Sequence, residues 1–208
     1  KTTTFNMIAG AMKPNSGRII FNNVDITAKP AHKLFHLGVM RTFQIAQEFS
    51  AMTVLENLMA VPGDQPGENL ALALFATRAV SRREEEIQQR ALEVLDFLRL
   101  SDLLHELAGN LSGGQKKLLE LGRAMMAEPQ IILLDEPGAG VNPTLLGDLA
   151  DMIERLNRER GYTFCIIEHN MDMIARLCNP VIVMAEGSVL TEGTMSTVRT
   201  DPRVLDAY

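Results

Sequence analysis

Two stretches carry residue types suited to phosphate chemistry: Leu111-Ser112-Gly113-Gly114-Gln115 and Ile131-Ile132-Leu133-Leu134-Asp135-Glu136-Pro137. Ser112 is a favoured N-cap, and Gln115 stands at the Ser-x-x-Gln spacing of a capping box. That spacing predicts a helix over about residues 113–127, with Pro129 marking its stop. Glycines at 113 and 114 cost about 1 kcal/mol each relative to Ala, and a plain cap does not need them. They leave bare backbone N–H groups at a helix start, where the helix dipole favours an anion such as phosphate. An ordinary capped helix is the alternative, and the paired glycines weigh against it. Residues 131–134 form a continuous apolar run, as in a parallel strand buried on both faces. The run ends in an acidic pair. Ligands gather at the carboxyl ends of strands in open α/β sheets. One carboxylate there can hold Mg²⁺ while the other orients or deprotonates a water. A solvated strand end is the plainer reading of Asp135 and Glu136 taken alone.

Two more positions fit such a site. His169 follows the apolar run Thr163–Ile167 and Glu168. At a strand's carboxyl end its imidazole could hydrogen-bond a γ-phosphate and a water, although a lone histidine is more often a surface or capping group. Gln44 closes the extended run over residues 39–44 and could ligand Mg²⁺ or contact water. Unaided, it reads as a surface glutamine, and Gln47 competes with it. His32, His36 and His105 have no comparable setting.

The elements that must position these groups alternate in type. Residues 2–12 read as a helix, Pro14-Asn15-Ser16-Gly17 as a turn and residues 18–21 as a short strand. From residue 45 to 125 strand signals give way to helical periodicity. A helix is expected over residues 53–60, then a loop at Pro62-Gly63-Asp64-Gln65-Pro66-Gly67. Ser81 reads as the opening of a long helix through a second capping box, Ser81-x-x-Glu84. Its apolar positions Ile87, Ala91, Val94, Leu95 and Leu98 recur at helical spacing, and its charged start at residues 82–86 reads as solvated. After residue 131 the α/β alternation returns. Asn142 with Pro143 opens a helix that Gly161 ends. Further elements are expected at Thr163–Ile167 (a buried strand), 171–178 (helix), 181–184 and 189–191 (a hairpin).

The 208 residues suffice for one globular domain with a lobe or two small domains, and 46% apolar content supports a real core. A net charge of −6 argues against a nucleic-acid surface, which needs clustered Lys and Arg. Cys165 and Cys178 read as buried thiols of a reducing compartment rather than a disulfide or metal pair. No stretch approaches the roughly 20 apolar residues of a membrane span, and no signal-peptide pattern is visible. The expectation is a soluble cytoplasmic domain that meets a membrane only through a partner.

The motifs, in this order, resemble those of the ATP-binding cassette (ABC) ATPases. Leu111–Gln115 is similar to that family's signature motif, and residues 131–136 to its Walker B strand. The resemblance implies an α/β P-loop NTPase core with a mostly parallel sheet and an inserted α-helical lobe. Residues 1–44 and 126–208 would form the nucleotide-binding core, and residues 45–125 the lobe ending in the signature. It implies ATP and Mg²⁺ as cofactors. Asp135 would be Mg-associated, Glu136 catalytic, His169 the catalytic switch histidine and Gln44 the Q-loop glutamine, Arg41-Thr42-Phe43-Gln44 fitting the family pattern better than Gln47 does. Lys1-Thr2-Thr3 is similar to the end of a P-loop, G-x-x-x-x-G-K-[ST], starting at its lysine. Lys1 would then reach the β/γ-phosphates, Thr2 would ligand Mg²⁺, and Thr3 would join the nucleotide contacts. With no glycine loop in the sequence, weak ATP binding by these residues alone is expected. Gly138-Ala139-Gly140-Val141-Asn142 occupies the family's D-loop, with Asn142 where many members carry an acid.

The resemblance further implies a head-to-tail pair of subunits. ATP would lie between Lys1 and Thr2 of one copy and Ser112, Gly113, Gly114 and Gln115 of the other. Arg41-Thr42-Phe43-Gln44, Met52-Thr53-Val54-Leu55-Glu56-Asn57-Leu58 and Glu136-Pro137-Gly138-Ala139-Gly140-Val141-Asn142-Pro143 look like the branched-chain amino-acid uptake ATPases. That implies an integral-membrane permease partner, indirectly a solute-binding protein, and a place on the cytoplasmic face of the membrane. Urea or amide importers and the lipopolysaccharide-export ATPase are close in pattern. A soluble ABC ATPase of translation or repair is disfavoured by the single cassette and acidic balance, and an inactive cassette by the presence of Glu136 and His169.

Overall fold

The computed structural model describes residues 1–42, 48–63 and 77–207, without the side chains of Thr77, Pro143 and Ala207. Gln44 and Gln47 lie outside the described residues. In chain order the elements begin with α1 (Thr2–Ile8), β1 (Ile20–Phe21), β2 (Val24–Asp25), α2 (Ala31–His36) and β3 (Val39–Arg41). Next come α3 (Val54–Met59), α4 (Thr77–Phe97), α5 (Gly113–Met126), β4 (Ile131–Asp135), α6 (Pro143–Arg160) and β5 (Thr163–Ile167). The chain closes with α7 (Met171–Leu177), β6 (Val181–Ala185), β7 (Ser188–Gly193), α8 (Met195–Arg199) and α9 (Pro202–Ala207). It divides into two compact units, Lys1–Gln44 with Ile131–Tyr208, and Ile45–Gln130.

The first unit is built on a parallel sheet in the order β3-β4-β5. The apolar run becomes its middle strand: Ile132, Leu133 and Leu134 are buried, and Asp135 at the end is 2% exposed. Register sets Asp135 beside Ile167, so the strands end together. Phe5, Ile26, Leu34, Val39, Leu133 and Ile167 pack into one cluster, seating α1 and α2 against the sheet. β6 and β7 pair antiparallel, the expected hairpin, turning at Glu186 and Gly187. Asn142 caps α6 by accepting from the Leu145 N–H at 2.9 Å, and Gly161 closes it at φ +70°, both as expected.

The second unit is helical. Ile87, Ala91, Val94, Leu95 and Leu98 are all buried, as their spacing required. Asn57, fully buried, accepts from the Phe49 N–H and donates to the Phe49, Met52 and Thr53 carbonyls, which ties α3 to the segment before it. Gly122 of α5 lets the helices close up. A Cβ there would meet Leu98 Cδ1 at 2.7 Å and Leu58 Cδ2 at 3.1 Å.

Several expectations need correction. α1 stops at Ile8 rather than near Met12, because Gly10 turns the chain at φ +72° against the Lys29 carbonyl, 2.4 Å from where a Cβ would sit. Ser81 is not a cap. α4 already includes Thr77, and Arg78-Ala79-Val80 contains nothing to break it, so Ser81 lies inside the helix. The charged run over residues 82–86 lies within the helix but largely on the surface, with Arg82 and Glu86 paired at 3.3 Å. β5 is not a fully buried strand: among the described residues it pairs only with β4, and Thr163 and Cys165 are exposed. Cys165 is therefore an exposed thiol and Cys178 a half-buried one, and both are free. The short helices α2, α8 and α9 were not expected at all.

Candidate active site

Parallel register brings the ends of β4 and β5 side by side, and α1 adds its first turn. Asp135 is the centre. Its Oδ1 accepts from the Thr2 hydroxyl at 3.4 Å, and its Oδ2 is paired with Arg41 Nη2 at 2.9 Å. Arg41, at the end of β3, also donates through Nη1 to Asn6 Oδ1 on α1. One guanidinium thus ties the helix after the N-terminus to two adjacent strands. The Thr2 hydroxyl and the Asp135 carboxylate are hard oxygen donors, a set that suits Mg²⁺. That ion takes one or two protein oxygens and completes its shell with phosphate and water. Lys1 is the N-cap of α1, its carbonyl accepting from Thr4 and Phe5, and Thr3 is exposed in the same turn.

Glu136 leaves β4 at φ +50° with its N–H donating to the Ile167 carbonyl at 2.9 Å. Its Oε1 lies 2.9 Å from His169 Nε2. The histidine is 66% exposed and the glutamate 24%, so the pair faces solvent where a water and a phosphate could enter. Glu168 sits behind it. Its Oε1 accepts from the Gly138 N–H at 2.7 Å, and its Oε2 accepts from the His169 and Asn170 N–H groups at 2.8 and 3.1 Å. The first unit therefore gathers Thr2, Asp135, Glu136 and His169 at the strand ends.

Ser112, Gly113, Gly114 and Gln115 belong to the second unit and build the expected capping box. The Ser112 N–H donates to Gln115 Oε1 at 2.9 Å, and the Gln115 N–H donates to Ser112 Oγ at 3.3 Å. Among the described residues nothing lies within 4 Å of a Cβ built at Gly113, so their packing does not demand glycine there. A bare first turn is what an approaching anion requires. Ser112→Ala removes the cap and is expected to lower stability by about 1 kcal/mol, read as a shift in the urea midpoint.

A family model described as ABC transporter matches residues 1–139. The chain belongs to the ABC transporter family. The family's members are ATP-binding cassettes whose ATP hydrolysis powers transport. Its relatives include a probable branched-chain amino acid transport ATP-binding protein LivG of Methanocaldococcus jannaschii, 42% identical over 212 residues that span all of this chain and 81% of the relative. A second, LivG of Escherichia coli K12, is described as a high-affinity branched-chain amino acid transport ATP-binding protein. It is 34% identical over 208 residues, all of this chain and 82% of its own length. Among solved structures, the ADP conformation of MJ1267, an ATP-binding cassette of an ABC transporter, is similar with TM-score 0.81 and 40% identity, covering 100% of this chain and 82% of that one. A nucleotide-free cassette from an ABC transporter is similar with TM-score 0.82 at the same identity and coverage. This ABC cassette is thus an α/β P-loop NTPase that binds ATP, and no helix among its described residues is long and apolar enough to cross a membrane.

Arg41 and Glu168 are the site residues that sequence reasoning missed. Arg41 had served only as part of a family pattern, and Glu168 only as the residue before His169. A basic residue closing a short apolar strand was the available signal for Arg41. None existed for Glu168.

Proposed function

We propose that this ABC cassette is the ATPase subunit that powers uptake of branched-chain or related amino acids through a membrane permease. Similarity along the whole chain to amino-acid transport ATP-binding proteins supports the solute class. The pairing of Glu136 with His169 beside Asp135 and Thr2 supports hydrolysis at this site. In this reading residues 1–44 and 126–208 are the nucleotide-binding core and residues 45–125 the helical lobe. Lys1, Thr2 and Thr3 hold the β/γ-phosphates. Thr2, Asp135 and the Q-loop Gln44 hold Mg²⁺, which would offset phosphate charge when bound. Glu136 takes a proton from the attacking water, and His169 keeps Glu136 aimed and donates to the γ-phosphate. Ser112, Gly113, Gly114 and Gln115 receive the γ-phosphate of a second subunit's nucleotide, so two copies, head to tail, complete two sites. The pair sits peripherally on the cytoplasmic face of the membrane beneath the permease, with a solute-binding protein on the other side.

The test is reconstitution of the intact protein with its permease in vesicles. ATP-dependent accumulation of leucine, isoleucine or valine, with solute-stimulated phosphate release, is the expected result. ATP hydrolysis stimulated by an unrelated solute, with no amino-acid uptake, overturns the substrate assignment.

A further inference from the structure

We propose that Glu168 is a positioning residue that locks the loop carrying Glu136 to the loop carrying His169. The inference rests on the reading of Glu136 and His169 as the hydrolytic pair. Both residues lie on loops that leave neighbouring parallel strands. One backbone bond, Glu136 N–H to the Ile167 carbonyl at 2.9 Å, joins the loops at their base. Beyond that point the connection is made by the Glu168 carboxylate. Oε1 takes the Gly138 N–H at 2.7 Å, across 30 residues of chain, while Oε2 takes the N–H groups of His169 and Asn170 at 2.8 and 3.1 Å. The His169–Glu136 contact at 2.9 Å then closes a ring of residues: Glu136, Gly138, Glu168, His169. Hydrogen bonds to an ionised carboxylate are roughly twice as strong as neutral ones, and Glu168 accepts three of them.

Gly138 is the other half of the device. A Cβ there would lie 2.7 Å from Glu168 Oε1 and 2.8 Å from Leu146 Cδ1. A side chain at this position would have to displace the carboxylate or Leu146. A simpler role, steadying the start of α7, accounts for the Asn170 contact alone. Asn170 already caps α7 through its own side chain, which accepts from the Met173 N–H at 2.9 Å. Reaching Gly138 adds nothing to a cap.

Glu168→Ala frees both loops, and a misplacement of about 1 Å in a reacting group can cost on the order of 100-fold in rate. In the intact protein, Glu168→Ala is expected to lower kcat about 10- to 100-fold. The ATP KM, the affinity for a fluorescent ATP analogue and the thermal midpoint should change little. Glu168→Gln keeps one acceptor for the Gly138 N–H but sets its NH2 against the His169 and Asn170 N–H groups, so kcat should fall between those of Glu168→Ala and the wild type. Asn170→Ala, which loses only the α7 cap, should keep kcat near wild type. Wild-type kcat in Glu168→Ala overturns the proposal, as does an equal loss in Asn170→Ala or a loss that Gln does not relieve. Glu136→Gln, assayed alongside, separates the two readings. Slow turnover in it with wild-type turnover in Glu168→Ala removes only the positioning role, and wild-type turnover in Glu136→Gln removes the hydrolytic pair and this proposal together.

Discussion

Glu136→Gln is expected to bind ATP as the wild type does and to turn over about 10²- to 10⁴-fold more slowly, the range a positioned general base supplies. The substitution changes one atom of a side chain whose place is fixed by its neighbours. The backbone N–H still donates to the Ile167 carbonyl, and an amide can still meet His169 Nε2. What disappears is basicity toward water. Loss confined to kcat marks an interaction made only in the transition state, so phosphate release and equilibrium binding of ATP must be measured on the same preparation. Turnover at the wild-type rate would remove Glu136 from the chemistry.

The second large effect is on the fold. Arg41→Met should destabilise the protein by about 3–5 kcal/mol, the usual result of leaving a buried charge without its partner. Asp135 is 2% exposed and Arg41 14%, so water screens the pair poorly. Without the guanidinium the carboxylate still accepts from the Thr2 hydroxyl, but at 3.4 Å that contact is at the weak end for a hydrogen bond. Met preserves most of the apolar stem, which isolates the charge effect from packing. Natural domains are stable by about 5–15 kcal/mol, so the variant should unfold at a much lower urea concentration. Adding Asp135→Asn removes the stranded charge. The double variant should be more stable than Arg41→Met alone, and the cycle gives the coupling. A loss under about 1 kcal/mol would place the pair with ordinary surface ion pairs.

What was legible in the sequence follows the range of each interaction. The caps at Ser112 and Asn142 involve bonds spanning three residues, so their spacing was sufficient. β4 was legible because burial on both faces leaves an unbroken apolar run. The same reasoning failed for β5, since the exposure of Cys165 depends on what pairs beyond the strand and not on its own residues. Ser81-x-x-Glu84 misled because the tetrad also occurs inside helices, and only a preceding breaker would make it a start. α2 and α9 are too short to show a period. Arg41 and Glu168 lay out of reach for a different reason. Their partners Asp135 and Gly138 stand 94 and 30 residues away, and only the parallel register brings them together.

Glu136 holds a left-handed backbone at φ +50°, a conformation that non-glycine residues adopt at a cost of roughly 1–2 kcal/mol. Glycine would take that turn with no such penalty. Ala28, Arg99 and Glu128 hold left-handed backbone too, but Glu136 alone among these four is a side chain that the proposed hydrolysis needs. Selection for a longer-lived cassette and selection for a working one pull in opposite directions at a single residue. A copy released from its transport duty would be free to place glycine there.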